Sequence, residues 1–148
     1  MKIKWEIKSF QELTTADLYK IIQARIDIFM LEQNCCYRDC DDKDLHSDHL
    51  IGWHDNTIIA YSRLIPPSIS YEERSIGRVL VREEYRKFGI GKELMQQAIT
   101  YLSPEVSPQP IRISAQLYLQ KFYQELGFQQ TSEEYLEDNI PHIQMLRA

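Results

Sequence analysis

The feature that most constrains this chain is a strand that runs directly into a glycine-bearing turn and then opens a helix. The run is Val79-Leu80-Val81-Arg82-Glu83-Glu84-Tyr85-Arg86-Lys87-Phe88-Gly89-Ile90-Gly91-Lys92. A helix is predicted from about Lys92 to Leu102, with Leu94, Met95, Ala98, Ile99 and Leu102 on its apolar face. The first backbone N–H groups of a helix have no internal partner, and with the positive end of the dipole they favour an anion. Glycines let the backbone approach that anion closely, and Arg86, Lys87 and Lys92 surround it with positive charge. A pyrophosphate is the natural fit. A Walker loop would need glycine where Arg86 stands and Ser or Thr where Glu93 stands. A dinucleotide fingerprint would need a third glycine at Leu94.

The rest of the chain supplies the frame. Ile3, Trp5 and Ile7 alternate with Lys4, Glu6 and Lys8, the pattern of a half-buried strand. Thr14-Thr15-Ala16-Asp17 reads as a capping box, followed by Leu18, Ile21, Ile22, Arg25 and Phe29 at helical spacing. The stretch from Glu32 to Asp48 is expected to be a loop or short helix. Leu50–His54 and Thr57–Leu64 read as strands joined by a tight turn at Asp55-Asn56. A further strand is expected over Ser75–Val81. Beyond the glycine helix come a strand over Ile111–Ala115, a helix over about Leu117–Leu126 stopped by Gly127, and strands near Phe128–Thr131 and His142–Leu146. No repeat or long linker divides residues 1–148, so one domain of mixed α/β (α+β) class is predicted.

Composition removes several function classes. A net charge of -5 argues against nucleic acid as the main partner. No apolar run approaches a membrane span, and the N-terminal alternation has no signal-peptide core. Cys35, Cys36 and Cys40 form an odd, clustered set, which points to a reducing, cytoplasmic setting. They contain no Cys-x-x-Cys pair, so no metal is expected with His46 and His49. The acids Asp39, Asp41, Asp42, Asp44 and Asp48 lack the glycine and closing glutamate of an EF-hand. They read either as a solvated face or as an attractor for a cationic acceptor.

Arg86-Lys87-Phe88-Gly89-Ile90-Gly91 resembles the coenzyme A loop of the GNAT superfamily, Arg/Gln-x-x-Gly-x-Gly/Ala. Phe122-Tyr123-Gln124-Glu125-Leu126-Gly127-Phe128 is similar to the family's Phe-Tyr-x-x-x-Gly-Phe, and the element order matches across the chain. Arg25 to Gln33, His49-Leu50-Ile51-Gly52-Trp53, Ile76-Gly77-Arg78-Val79 and Pro141-His142-Ile143 are similar to the ElaA-like subgroup. The resemblance implies a GNAT acyl-CoA N-acyltransferase fold, with a central mixed, mostly antiparallel sheet of about seven strands flanked by helices.

The resemblance also implies a reaction, in which an acetyl group moves from acetyl-CoA to a primary amine by direct attack in a ternary complex. The implied cofactor-binding set is Val79, Leu80 and Val81 through backbone groups, the loop residues Arg86, Lys87, Phe88, Gly89, Ile90, Gly91 and Lys92, and Gln116. Tyr123 is the expected acid for the leaving thiolate, with a packed core aromatic as its other reading. Glu32 is the candidate base, with a solvated helix-end carboxylate as the alternative. His142 is a further candidate, or a structural histidine, and a water chain in place of any base stays open. A non-catalytic acyl-CoA-binding module is the alternative function. The acceptor amine, cationic or not, stays open, as does a homodimer.

Overall fold

The computed structural model describes all 148 residues. Strand β1 (Lys4–Ser9) leads through a short 3-10 turn to helix α1 (Thr15–Arg25). Thr14 caps α1 reciprocally with Asp17: Asp17 N–H donates to Thr14 Oγ1 at 3.0 Å and Thr14 N–H to Asp17 Oδ2 at 3.2 Å. From Ile26 to Glu32 the helix widens into π-type turns, placing Phe29 and Glu32 against the cavity described below. The rest of the chain forms β2 (Asp48–His54), β3 (Thr57–Ile65), β4 (Ser75–Val81), α2 (Ile90–Leu102), β5 (Ile111–Gln116), α3 (Gln120–Glu125), β6 (Gln129–Gln130), β7 (Tyr135–Glu137) and β8 (Ile140–Arg147). Strands β1 to β4 form one antiparallel sheet, and β8 pairs with β5 on one edge and with β6 and β7 on the other. The eighth strand, β7, is absent from the sequence reading. It closes on β8 through Asp138-Asn139, both at positive φ (50° and 67°), the backbone a two-residue hairpin needs.

Both faces of the first sheet are covered. On one, Ile90, Leu94, Met95, Ala98, Ile99 and Leu102 of α2 pack against Leu50, Ile59, Ala60 and Ile76. On the other, Ile21, Ala24 and Ile28 pack against Ile51, Ile58, Tyr61 and Leu80. Double coverage explains why β3 is buried from Ile58 to Ile65 instead of alternating. Each of these large aliphatic side chains gains about 1.5–3 kcal/mol from burial, so α1 and α2 are held mainly by the sheet.

The two sheets share one core and are joined by a single backbone bridge. Arg74 bridges Ile111 in parallel, with Arg112 N–H donating to Arg74 O at 2.9 Å, and no ladder continues between β4 and β5. The expected central sheet is therefore divided at this seam.

Candidate active site

The seam opens into a cavity of about 790 Å³. One wall is β4, which carries a bulge. Tyr61 pairs with Leu80 and Arg63 with Gly77, so Ser62 alone faces both Arg78 and Val79. Arg78 takes the left-handed conformation, φ 52°, to make the extra residue fit. The strand's free edge turns toward β5, and unpaired N–H and C=O groups there are suited to hold an extended ligand backbone.

Helix α2 points its N-terminus at the same cavity. Its N-cap, Gly89, is at φ 71° and provides no side-chain cap, so the first-turn N–H groups stay available. A Cβ built on Gly89 would meet nothing within 4 Å. A Cβ on Gly91 would lie 3.8 Å from both Phe122 Cζ and Val81 Cγ2, at the cavity wall. Val79, Leu80, Val81, Arg86, Gly91, Gln116, Tyr123 and Glu32 all line the cavity. Lys87, Phe88, Gly89 and Lys92 are exposed outside its lining. Ile90 is 2% exposed and belongs to the core, so only its backbone faces the loop.

Two residues expected to act separately are bonded to each other. Arg86 Nη2 donates to Glu32 Oε2 at 2.6 Å, while Arg86 Nε donates to the Val81 carbonyl at 2.9 Å. The guanidinium thus ties the end of β4 to the end of the first helical region. Tyr123 sits 6% exposed between Phe122 and Phe128, edge-on to both. Its hydroxyl makes no hydrogen bond within the protein, and its phenol belongs to the cavity lining. Burial, reinforced by the Tyr118 phenol, pushes its pKa up, so it keeps its proton.

The acidic run corrects the sequence expectation. Asp39 and Asp44 are 7% exposed and, with Asp41, hold three arginines. Arg25, fully buried, contacts Asp44 Oδ1 at 2.8 Å and Asp39 Oδ2 at 3.0 Å. Arg63 binds Asp41 through both terminal nitrogens at 2.8 and 2.9 Å, and Arg78 Nε donates to Asp39 Oδ1 at 3.1 Å. Burial opposes the charge on Asp44 and Asp41. Arg25 and Arg63 outweigh it at Asp44, and Arg63 and Arg78 at Asp41, and both pKa values fall below the ordinary range. These three carboxylates are neutralised inside the protein, so they neither form a solvated face nor attract an acceptor.

The candidate His142 lines the same cavity, in a wall whose other members Tyr71, Ser114 and Glu137 the sequence reading missed. Across the β7–β8 hairpin Tyr135 pairs with His142 and Glu137 with Ile140, and the Glu137 carboxylate reaches diagonally to within 3.4 Å of His142 Nε2. The Asp138-Asn139 pair was the signal that would have found the hairpin.

A family model described as "Acetyltransferase (GNAT) domain" matches residues 28–147, the segment that builds the seam, the glycine loop and the cavity. The chain belongs to the GNAT acetyltransferase family. It is 38% identical over 147 residues to the protein ElaA of Escherichia coli K12, covering 98% of this chain and 96% of ElaA. The crystal structure of E. coli ElaA superposes with a TM-score of 0.92 at 36% identity, over 99% of this chain and 100% of that one. An acyl-CoA N-acyltransferase from Pseudomonas aeruginosa gives a TM-score of 0.92 at 38% identity, over 99% and 100% of the two chains. At 15% identity, the CoA-dependent acyl-homoserine lactone synthase BjaI, solved with SAM and isopentyl-CoA, shares the fold with a TM-score of 0.78. This GNAT chain is thus an acyltransferase, and none of its helices is long and apolar enough to cross a membrane.

Proposed function

We propose that this GNAT enzyme transfers an acetyl group from acetyl-CoA to a primary amine, which attacks directly while both substrates are bound. The observation that carries the reading is the convergence of the β4–β5 seam with the uncapped N-terminus of α2 on one cavity. The residues present fit the cofactor: first-turn N–H groups suit a pyrophosphate, with Lys87 and Lys92 beside them, and the free edge of β4 suits the pantetheine amides. Acetyl-CoA supplies an activated acyl carbon. Backbone N–H groups at Val79 to Val81 are fixed before reaction and would stabilise the developing oxyanion. Tyr123 holds the proton that the departing sulfur needs. Glu32 and Arg86 brace the end of β4 against the first helical region.

The test joins binding to turnover. Acetyl-CoA at about 100 times its Kd should stabilise the fold by about 2.7 kcal/mol, seen as a raised melting temperature. A panel of primary amines should release free thiol from acetyl-CoA. Binding with no turnover across the panel would favour the non-catalytic module, and absence of binding would overturn both readings.

A further inference from the structure

The acceptor half of the cavity contains a proton-handling pair outside the thioester machinery. His142 lies on β8 opposite Gln116 of β5 and is 6% exposed, yet its ring lines the cavity. Its Nδ1 lies 2.7 Å from the Ile140 carbonyl. A carbonyl only accepts, so Nδ1 carries hydrogen, and Nε2 is where the neutral ring keeps its lone pair. Nε2 lies 3.4 Å from Glu137 Oε2. The other Glu137 oxygen accepts from Ser114 Oγ at 3.1 Å, Ser114 also pairs with Tyr135 at 2.5 Å, and the Tyr135 ring stacks on His142 at 6.2 Å between centroids. The Ile140 carbonyl thus fixes the tautomer and the Tyr135 ring the face, while Glu137 is placed to pair with the imidazolium once Nε2 has taken a proton.

The titratable groups around it are few. Glu137 and Tyr135 come from β7, and Tyr71 comes from the loop before β4. Burial pushes both phenols up, so they stay neutral near pH 7. Arg112, the nearby cation on β5, is held by Glu73 through Nε at 3.0 Å and Nη2 at 2.9 Å. A positive ligand therefore meets Glu137, 48% exposed at its side chain, while Arg112 is engaged by Glu73 and the cavity-lining cations Arg38 and Lys43 lie near the acidic segment.

We propose that this half of the cavity receives the acceptor as a primary ammonium against Glu137, and that His142 Nε2 takes its proton. The inference rests on the acetyl-transfer reading above. An ammonium has no lone pair with which to attack. Loss of one proton to His142 gives the neutral amine, whose nitrogen forms the C–N bond as the C–S bond breaks. The sulfur takes a proton from Tyr123, and the second proton lost by nitrogen restores the Tyr123 phenol through water. The proton on His142 passes to solvent, so the sum is amide, thiol and one released proton. Glu137 acts as a positioning residue for His142 and as the counter-ion for the ammonium.

The kinetic arm compares His142→Gln with the wild-type chain, using the most active amine of the panel. We expect kcat/KM at neutral pH to fall by about ten-fold or more, as removal of a general base does, with acetyl-CoA affinity unchanged. The acid limb of the pH profile should vanish, and the loss should shrink as pH approaches the amine's own pKa. An unchanged profile overturns the assignment. The second arm needs no turnover. The His142 imidazole resonance, assigned by its absence in His142→Gln, is followed at fixed neutral pH in the wild-type chain and in Glu137→Gln. Added 1,4-diaminobutane should shift the resonance in the wild-type chain only. No response to the diamine, or the same response in Glu137→Gln, overturns the site. If no amine is turned over while these NMR responses appear, the acetyl-transfer reading fails and the ammonium subsite stands.

Discussion

Arg78 Nε donates to Asp39 Oδ1 at 3.1 Å while Arg78 itself is held at φ 52° in the bulge of β4. The buried acidic segment is thereby fastened to the strand that forms one wall of the cavity. Tyr37 completes the clamp: its hydroxyl donates to Asp39 at 2.6 Å and its ring lies 5.1 Å from the Arg78 guanidinium. Removing Asp39 would leave Arg25, fully buried, with Asp44 as its remaining anion. We expect Asp39→Ala to cost about 3–5 kcal/mol, the range for breaking a buried ion pair. Chemical denaturation measures this, and a cost under about 1 kcal/mol would place the pair among exposed ones. Arg78→Gly should be about 1–2 kcal/mol less harmful than Arg78→Ala, because glycine relieves the left-handed strain and alanine keeps it.

Acid should loosen the fold in two stages. Burial depresses the pKa of His49 below its ordinary 6.5, against the Asp44 carbonyl and charge, which raise it. Its Nε2 donates to the Asp44 carbonyl at 3.0 Å and its Nδ1 accepts from Tyr61 Oη at 2.6 Å, so the folded state holds it neutral. A depressed pKa gives stability that is present above the unfolded value and is lost as pH falls through the folded one. Loss therefore begins below about pH 6.5 for His49. It resumes below the ordinary aspartate value of 3.8 for Asp41 and Asp44, whose folded values are lowered. Melting temperatures from pH 8 to pH 3 read both stages, and a flat profile between pH 7 and pH 5 would reject the part assigned to His49.

The two loop glycines should fail differently. Gly89, at φ 71°, has open space around its Cβ direction, so Gly89→Ala should cost about 1 kcal/mol through backbone strain alone. Gly91 has ordinary room for a Cβ between Phe122 and Val81, so Gly91→Ala should fold normally. Gly91→Glu would add a carboxylate at the cavity wall beside the helix N-terminus, where it should repel a pyrophosphate. Calorimetric titration with acetyl-CoA should show binding lost in a folded Gly91→Glu chain, and retained affinity would remove the loop from the cofactor site.

Tyr123→Phe keeps the ring between Phe122 and Phe128 and deletes only a hydroxyl that has no partner in the protein. Stability should therefore hardly change, since no buried group loses its bond. If the phenol gives its proton to sulfur, kcat should fall at least ten-fold, within the roughly 10²–10⁴ range for a general acid, with acetyl-CoA affinity near normal. Full activity would assign the proton to water.

What lay within a few residues in the chain was legible beforehand. The Thr14–Asp17 cap, the turn at Asp55-Asn56, the glycine loop and the apolar face of α2 each follow from spacing, because the groups that interact are neighbours along one element. Tertiary structure alone decided the rest. The pairs Arg25–Asp44, Arg63–Asp41 and Arg78–Asp39 span 19 to 39 residues, and nothing in an acidic run says that three arginines from other elements will meet it. Burial then reverses what the charges do. Carboxylates that would attract a ligand in water are neutralised where water is excluded, and they hold the β4 bulge instead. The same holds for the seam between β4 and β5. It arises from where two sheets stop pairing, a property of strand register that neither strand's residues carry by themselves.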